Sequence, residues 1–391
     1  MARPATRRLE VARAVRAFAD GFASVLLVRY LQDLGFDAFQ IGVIVTATLL
    51  GSATLTLLAG LRFARLGARS VLLAACGLMA FTGIGFSVVT RFWPLVIVGF
   101  IGTLNPSGGD VSLFLPMEQA ALADLTTEAE RPHRFAIYNL GAALAAAAGA
   151  LASALPHRIA VAHNWDILTV ERLSFLIYVL TAAIAAFVYR GLRATKPHRD
   201  KRHGLHESRK IVIRLSALFS LDAAGSGFTV NALIVLYLDL RFGLSPAAVG
   251  VTLAAAGTLS AFSQLFAAPL ARRIGLVRTM VYTHLPANAF LILAGIVPSA
   301  PLAITFLLLR AALSQMDVPA RQALVMRLVE PDERAAAASV TNVPRSLATA
   351  LTPAFAGFLL DKSTFGWPLV IGGAMKATYD ILLLRQPIDR D

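Results

Sequence analysis

Apolar runs of about 20 residues recur along the whole chain, and short polar segments separate them. A helix of that length crosses the hydrocarbon core of a bilayer, which is about 30 Å thick. The pattern therefore predicts an all-α integral membrane protein with twelve transmembrane helices. We expect the spans at about 13–32, 41–60, 70–90, 94–116, 135–155, 172–190, 214–238, 246–269, 277–298, 302–325, 336–360 and 366–385.

Composition agrees with this fold class. Of the 391 residues, 57% are hydrophobic and 15% are charged, and the mean hydropathy is +0.68, whereas a soluble domain has roughly 25% charged residues. The single cysteine, Cys76, excludes an internal disulfide or a cysteine-based metal site. The basic N-terminal segment lacks a compact apolar core followed by a cleavage site, so we expect no removable signal peptide.

The distribution of Lys and Arg predicts the orientation. The formal net charge is +13, and most of the basic residues fall in segments on the same side as the two termini. Because basic loops stay in the cytoplasm, we expect both termini there and the protein in the cell (inner) membrane. The positive charge is then a topology signal, and we expect no nucleic-acid partner.

A long polar segment divides the chain. Tyr189–Arg214 holds nine Lys or Arg residues and three histidines, and it separates two sets of six apolar runs. We therefore expect an N-terminal six-helix bundle at 1–190, a basic cytoplasmic linker at 191–213 and a C-terminal six-helix bundle at 214–391. Binding of lipid headgroups or of a regulator is the alternative role for the linker.

The two halves of the chain repeat in two registers. An offset of 208 residues pairs Gly35, Gly42, Arg65 and Gly67 with Gly243, Gly250, Arg273 and Gly275. An offset of 203 residues pairs Pro116, Gln119, Glu130, Arg131 and Asn139 with Pro319, Gln322, Glu333, Arg334 and Asn342. Parallel repeats of six helices place a substrate site near the bilayer midplane between the halves, and they imply alternating access.

The loop between spans 2 and 3 resembles a known family pattern, G-x-x-x-D-R-x-G-R-R. Here it reads GLRFARLGAR, so the matching residues are Gly60, Arg65, Gly67 and Arg69, while Ala64 and Ala68 depart from the pattern. With this loop, its degenerate second copy APLARRIGLV and the repeat, the chain resembles the major facilitator superfamily over essentially its whole length. The pairs Glu130-Arg131 and Glu333-Arg334 resemble the family signature after spans 4 and 10.

The resemblance implies two pseudo-symmetric six-helix bundles with spans 1, 4, 7 and 10 around a central cavity. Charged groups inside a membrane usually face such a cavity and mark a pathway or an ion pair. The candidate proton-coupling residues are Asp20, Asp110, Asp222 and Asp317. The candidate cavity residues are Asn105, Asn139, Asn231, Arg310, Gln315, Asn342 and Arg345.

A static ion pair is the alternative interpretation for most of these charges. The pairs to consider are Asp20 with Arg16, Arg310 with Asp317, Arg345 with Asp317 or Asp110, and Lys376 with Asp380. Arg345 has a further alternative, because an unpaired cation in the cavity would bind an anionic group of a substrate. Asp222 has no cation nearby in the sequence.

The stretch from Asn105 to Gln119, NPSGGDVSLFLPMEQ, introduces Pro, Gly and acidic residues into span 4. Because neighbouring groups can satisfy the freed carbonyls, we expect a bent helix there and not a loop. Glu118 corresponds to Arg321 at the 203-residue offset, and the family places both at the cytoplasmic ends of spans 4 and 10. We predict that the two form a gate pair in the outward-facing state.

These features predict a secondary active transporter of a small organic solute, proton-coupled and exporting, that works as a monomer without a cofactor or bound metal. A copper importer is one alternative, although Asn288 stands where a His284-x-x-x-Met pair would need its soft thioether. A membrane sensor or scaffold of the same fold is the other. No phosphate-loop, HExxH or GxSxG motif is present, so we expect no enzyme.

Overall fold

The computed structural model of the protein describes residues 2–61, 67–107, 113–127, 130–192, 208–330 and 333–386. The N-terminal half consists of α1 (Ala2–Asp33), α2 (Ala38–Leu61), α3 (Ala68–Val88), α4 (Phe92–Ile101), α5 (Phe114–Asp124), α6 (Arg131–Ala152), α7 (Leu155–His163), α8 (Ile167–Ser174) and α9 (Leu176–Arg190). The C-terminal half consists of α10 (Arg209–Gly227), α11 (Asn231–Phe242), α12 (Pro246–Ser263), α13 (Ala267–Ile274), α14 (Leu276–Ile296), α15 (Ala300–Ser314), α16 (Asp317–Leu328), α17 (Arg334–Lys362) and α18 (Trp367–Leu384).

Each predicted span coincides with one helix or with consecutive helices, so the all-α fold with twelve spans is confirmed. Spans 4, 6, 7, 8 and 10 are each made of two main helices, and the helix of span 5 continues into α7. Nine stretches within the described ranges are long and apolar enough to cross a membrane. Span 1 begins at Ala2, earlier than predicted, because the helix runs on through the basic N-terminal segment.

Small residues bring the helices of one half into close contact. A Cβ atom at Gly21 on α1 would lie 2.0 Å from the carbonyl oxygen of Ala146 on α6, and one at Gly149 would lie 2.0 Å from that of Phe18. Lipid offers no hydrophobic drive for helix association, so such backbone-to-backbone packing supplies much of the attraction. Spans 1 and 5 are therefore tightly joined.

Both ends of the described chain and both ends of the linker lie at the same end of the bundle, which we call the terminal face. There Arg8 Nη1 donates to the Gly191 carbonyl at 2.7 Å. The Ser208 N–H donates to the Glu333 carboxylate at 3.0 Å, which joins the start of span 7 to the start of span 11. We call the other end of the bundle the opposite face.

The two halves are joined near the opposite face. Gln32 Nε2 donates to Asp239 Oδ2 at 2.7 Å between spans 1 and 7. The Ala354 N–H donates to Thr46 Oγ1 at 2.9 Å between spans 11 and 2. Spans 2 and 11 also approach at Gly357, where a Cβ would lie 2.4 Å from the Ala38 carbonyl oxygen. This close contact closes the opposite face.

Substitution of Gly357 by Leu should open that face. The added side chain overlaps the backbone of span 2 at Ala38, and overpacking of this kind costs about 1–3 kcal/mol, which corresponds to a roughly 5- to 150-fold change in the ratio of two conformations. Arg91 and Lys362 are exposed where spans 3 and 11 end at the opposite face. Spin labels at these two positions should show a population at longer distance.

Gly77→Leu is the matched control, because a Cβ at Gly77 meets nothing within 4 Å. It should leave the distance distribution of the two labels unchanged. An identical distribution in Gly357→Leu and in the unsubstituted protein would show that contact between spans 2 and 11 does not hold the face closed.

Candidate functional site

Span 4 is interrupted near the middle of the membrane. α4 ends at Ile101 and Gly102 leaves the helix with extended backbone angles, while α5 begins only at Phe114. Within the described part of the gap, Asn105 is buried, and its Oδ1 accepts hydrogen bonds from the N–H and the hydroxyl of Ser107 at 3.2 and 2.6 Å. The predicted bend is therefore a break in the helix, stabilised by the Asn105 side chain.

Span 7 is interrupted at the same depth. α10 ends at Gly227, and α11 begins at Asn231, with Val230 extended between them. The Ala232 N–H at the start of α11 donates to the Pro106 carbonyl at 3.1 Å. The two breaks thus meet across the joint between the halves, and discontinuous helices at mid-membrane are the usual location of a transporter's binding site.

A buried group of side chains lies in the N-terminal half near the terminal face, and we call it the N-half cluster. It consists of Arg16, Phe114, Glu118, Tyr138 and Tyr189. Arg16 Nη2 donates to Glu118 Oε2 at 2.5 Å, and Arg16 Cζ lies 3.9 Å from the centre of the Phe114 ring. The hydroxyls of Tyr138, at 2.6 Å, and of Tyr189 donate to the same carboxylate.

This geometry corrects the predicted pairing of Asp20 with Arg16. Arg16 reaches Glu118 on span 4, and Asp20 Oδ1 accepts a hydrogen bond from Tyr178 on span 6 at 2.7 Å. Their spacing of four residues permits contact along the helix, but the partners on other spans offer charge-assisted hydrogen bonds, buried for Arg16 and partly buried for Asp20.

A second buried group lies in the C-terminal half, and we call it the C-half cluster. It consists of Asp222, His284, Asn288, Asp317, Arg321, Lys376 and Asp380. Asp222 is the hub: its carboxylate lies 2.8 Å from Lys376 Nζ, 3.4 Å from Arg321 Nη1 and 3.7 Å from His284 Nε2. Asp222 has no cation nearby in the sequence. Its partners His284, Arg321 and Lys376 come from spans 9, 10 and 12.

The remaining bonds of the C-half cluster correct two predicted pairs. Asp317 accepts from Arg321 at 3.0 Å and not from Arg310. Asp380 accepts from Asn288 Nδ2 at 2.8 Å and lies 2.9 Å from His284 Nδ1, while Lys376 binds Asp222. Lys376 and Asp380 are therefore neutralised by other helices and not by each other.

The two clusters have opposite polarity. In the N-terminal half, span 1 supplies the cation Arg16 and span 4 the anion Glu118. In the C-terminal half, span 7 supplies the anion Asp222 and span 10 the cation Arg321. Equivalent spans of the two halves thus carry opposite charges.

The gate pair Glu118–Arg321 is not formed in this structure. Each residue is buried and bonded within its own half, Glu118 to Arg16 and Arg321 to Asp317 and Asp222. The gate belongs to a state in which the terminal face is closed, so it stays a prediction. Its formation would require these resident bonds to break or to be shared.

The other predicted site residues differ in their surroundings. Arg310, Gln315, Asn231 and Arg345 are partly buried, whereas the side chains of Asn139 and Asn342 are exposed. The place of Asn139 and Asn342 in the cavity stays a prediction. Asp110, predicted to carry protons, lies outside the described residues.

The predicted loop motifs are found at helix ends. Gly60 lies in the last turn of α2, Gly67 precedes α3, and Arg69 lies in its first turn, while Arg65 falls outside the described residues. Glu130 and Glu333 immediately precede α6 and α17, whose first residues are Arg131 and Arg334. Thr127 Oγ1 donates to the Glu130 carboxylate at 3.0 Å, and the Ser208 N–H donates to the Glu333 carboxylate.

The geometry does not favour the copper alternative. His284 Nδ1 is engaged with Asp380. Within the described ranges, no group of three or more His, Cys, Asp or Glu side chains could hold a metal ion.

The sequence of each half matches the model of a known protein family. The family model of the Major Facilitator Superfamily matches residues 10–221 and, a second time, 215–390. The chain belongs to the major facilitator superfamily.

Relatives of this superfamily member cover nearly its full length. An uncharacterized membrane protein of Saccharomyces cerevisiae, YJR124C, is 25% identical over 94% of this chain and 91% of its own. The inward-open xylose transporter XylE from E. coli shares the fold with a TM-score of 0.74 at 14% identity, over 97% of this chain and 96% of its own. The human organic anion transporter MFSD10 (TETRAN) does so with a TM-score of 0.67 at 16% identity, over 98% and 99%.

Several members of the two clusters carry no local sequence signal. Tyr138 and Tyr189 become recognisable only through the Glu118 carboxylate that they bind. A buried Tyr needs a partner for its hydroxyl, which is the one hint that the sequence contained.

Proposed function

We propose that the protein is a secondary active transporter that moves a small organic solute by alternating access, coupled to protons and in the direction of export. The observation that carries the proposal is the meeting of the two broken helices, where the Ala232 N–H binds the Pro106 carbonyl across the joint between the halves. Irregular backbone at membrane depth is tolerated where it lines a cavity or is buried in protein. A solute bound there would contact both halves and follow their relative motion.

The C-half cluster supports proton coupling. Asp222 is 2% exposed and lies on span 7, while its partners Arg321, His284 and Lys376 lie on three other spans. Relative motion of these spans changes the number of cations around the carboxylate, and the number of nearby cations decides whether a carboxylate holds a proton. His284 links the two aspartates of the cluster, because its Nε2 lies 3.7 Å from Asp222 and its Nδ1 lies 2.9 Å from Asp380.

For the proposed export, the joined opposite face determines from which side the solute enters. With the terminal face in the cytoplasm, as the distribution of basic residues predicts, contacts such as Gln32 with Asp239 close the outer side. The binding site would then take up the solute from the cytoplasm. After the solute is released outside, a proton entering from outside would drive the carrier back to the state that is open to the cytoplasm.

Transport by the purified protein in liposomes tests this function. Labelled xylose, benzoate, benzylamine and a panel of further neutral, anionic and cationic metabolites would be offered with and without an imposed pH gradient. We expect at least one solute to accumulate above the level in empty liposomes, and the gradient to raise that accumulation. Accumulation unaffected by the gradient would refute proton coupling, and no uptake of any solute would refute transport.

A further inference from the structure

Two arginines in the C-terminal half differ from the other buried cations of the membrane region. Arg321 and Lys376 each bind a carboxylate at 3.0 and 2.8 Å. Arg310 and Arg345 have no hydrogen bond or ion pair to any residue in the described ranges, and the Nε atom of each is shielded from solvent without an acceptor. A guanidinium group has five N–H donors and no acceptor, so both side chains lack a partner that their chemistry requires.

Both arginines lie deep in the membrane. Arg310 follows the start of α15 at Ala300 by ten residues, or about 15 Å of helix. Arg345 follows the start of α17 at Arg334 by eleven residues, or about 17 Å. Cations at such depth are rare and costly unless they face a partner, a substrate or a water-filled path.

The carboxylates that the structure describes near the two arginines do not supply that partner. Arg310 and Arg345 both lie close enough to Asp222 for the charges to attract, but Asp222 is bound by Lys376 and Arg321. Asp317 is bound by Arg321. Among the described side chains, each carboxylate near the two arginines is thus already committed to another cation.

The remaining acid of the cluster is also engaged. Asp380 accepts from Asn288 and contacts His284. Arg345 lies close enough to Arg321 for the two cations to repel each other. The region therefore carries two unmatched guanidinium groups that an anion would stabilise.

We propose that Arg310 and Arg345 bind the oxyanion group of the solute, so that the substrate is an organic anion with a carboxylate or a phosphate. The planar guanidinium group binds both kinds of oxyanion through two parallel N–H donors. The inference rests on the proposed transport function, since it names the substrate class of that site. The solute's charge would replace the missing partner of the two arginines.

The stability of the ligand-free protein gives the first test. Replacing an unpaired buried charge by a neutral side chain removes its desolvation cost. Replacing one member of a buried ion pair leaves the other charge buried without compensation. Arg310→Gln and Arg345→Gln should therefore keep or raise the melting temperature in detergent. Arg321→Gln, on the same span as Arg310, should lower it by several degrees. A comparable fall in all three variants would overturn the proposal, because it would mean that Arg310 and Arg345 are structurally paired.

Ligand-induced stabilisation gives the second test. Benzoate, succinate and glycerol 3-phosphate would be compared with benzamide, succinamide and glycerol at equal ionic strength. We expect at least one anion to raise the melting temperature, its neutral analogue to have no effect, and the shift to be lost in Arg310→Gln and Arg345→Gln. Equal shifts by neutral analogues, shifts that persist in both variants, or no shift by any anion would overturn the proposal.

Failure of the anion assignment and failure of the transport function give different results. If the liposomes accumulate a neutral or cationic solute, the transport function stands and the anion assignment is wrong. If anions bind through the two arginines but no solute accumulates, the assignment stands and the transport function is wrong.

Discussion

Glu118→Ala will strongly destabilise the protein. The substitution removes the carboxylate that Arg16, which is 1% exposed, binds beside Phe114, and the hydroxyls of Tyr138 and Tyr189 lose their shared acceptor. Breaking a buried ion pair by removing one partner costs about 3–5 kcal/mol. Thermal unfolding in detergent should therefore begin at a clearly lower temperature.

The chain contains its own reporter for this measurement. Cys76 is buried and is the single cysteine in the sequence, so a thiol-reactive dye becomes fluorescent only when the protein unfolds. Arg134→Ala is the control, because it removes a more exposed ion pair, Arg134–Glu10 at 3.5 Å, and such pairs contribute roughly 1 kcal/mol or less.

A double variant separates the ion pair from simple loss of packing. Arg16→Met with Glu118→Leu removes both charges and keeps most of the side-chain volume, so it should recover most of the stability lost in Glu118→Ala. If the double variant is as unstable as the single one, the buried charge of Arg16 is not the source of the instability.

Asp222→Asn should abolish the response to a pH gradient and also destabilise the protein. Asparagine keeps the size of the side chain but leaves Lys376, at 2.8 Å, and Arg321, at 3.4 Å, without their shared carboxylate. The stability loss should again be about 3–5 kcal/mol, as for other broken buried pairs. Uptake into liposomes should fall to the level measured without a gradient.

Asp222→Asn with Lys376→Met distinguishes coupling from folding. It removes the cation that binds Asp222 most closely, so stability should largely return while the response to the gradient stays absent. Recovery of gradient-driven uptake in this double variant would assign Asp222 a purely structural role.

The backbone architecture was largely predictable because its signals are local. Twelve apolar runs predicted twelve spans, since a length of about 20 residues is what a bilayer requires. The prolines and glycines after Asn105 predicted a bend in span 4, whereas α4 ends at Ile101 and the described residues 102–107 are not helical. The repeat predicted two equivalent halves, which the double match of the family model supports.

The pairing of charges was predicted less well because its causes are not local. Helical spacing favoured Asp20 with Arg16 and Lys376 with Asp380, but neither aspartate takes that partner as its principal contact. A helix interaction between residues four apart contributes only about 0.2–0.5 kcal/mol. Buried partners on other helices offer stronger, charge-assisted hydrogen bonds, and these decide the arrangement.

The sequence by itself determined the membrane-spanning helices, the division into two halves and the set of charges that lie inside the membrane, because hydrophobic length and repetition are written along the chain. Only the tertiary structure decided which charges meet. Arg16 and Glu118 are 102 residues apart in the sequence, Asp222 and Arg321 are 99 apart, and Asp222 and Lys376 are 154 apart. Desolvation forces each buried charge to take the best partner that folding brings near, and the described residues offer the Nε atoms of Arg310 and Arg345 no acceptor.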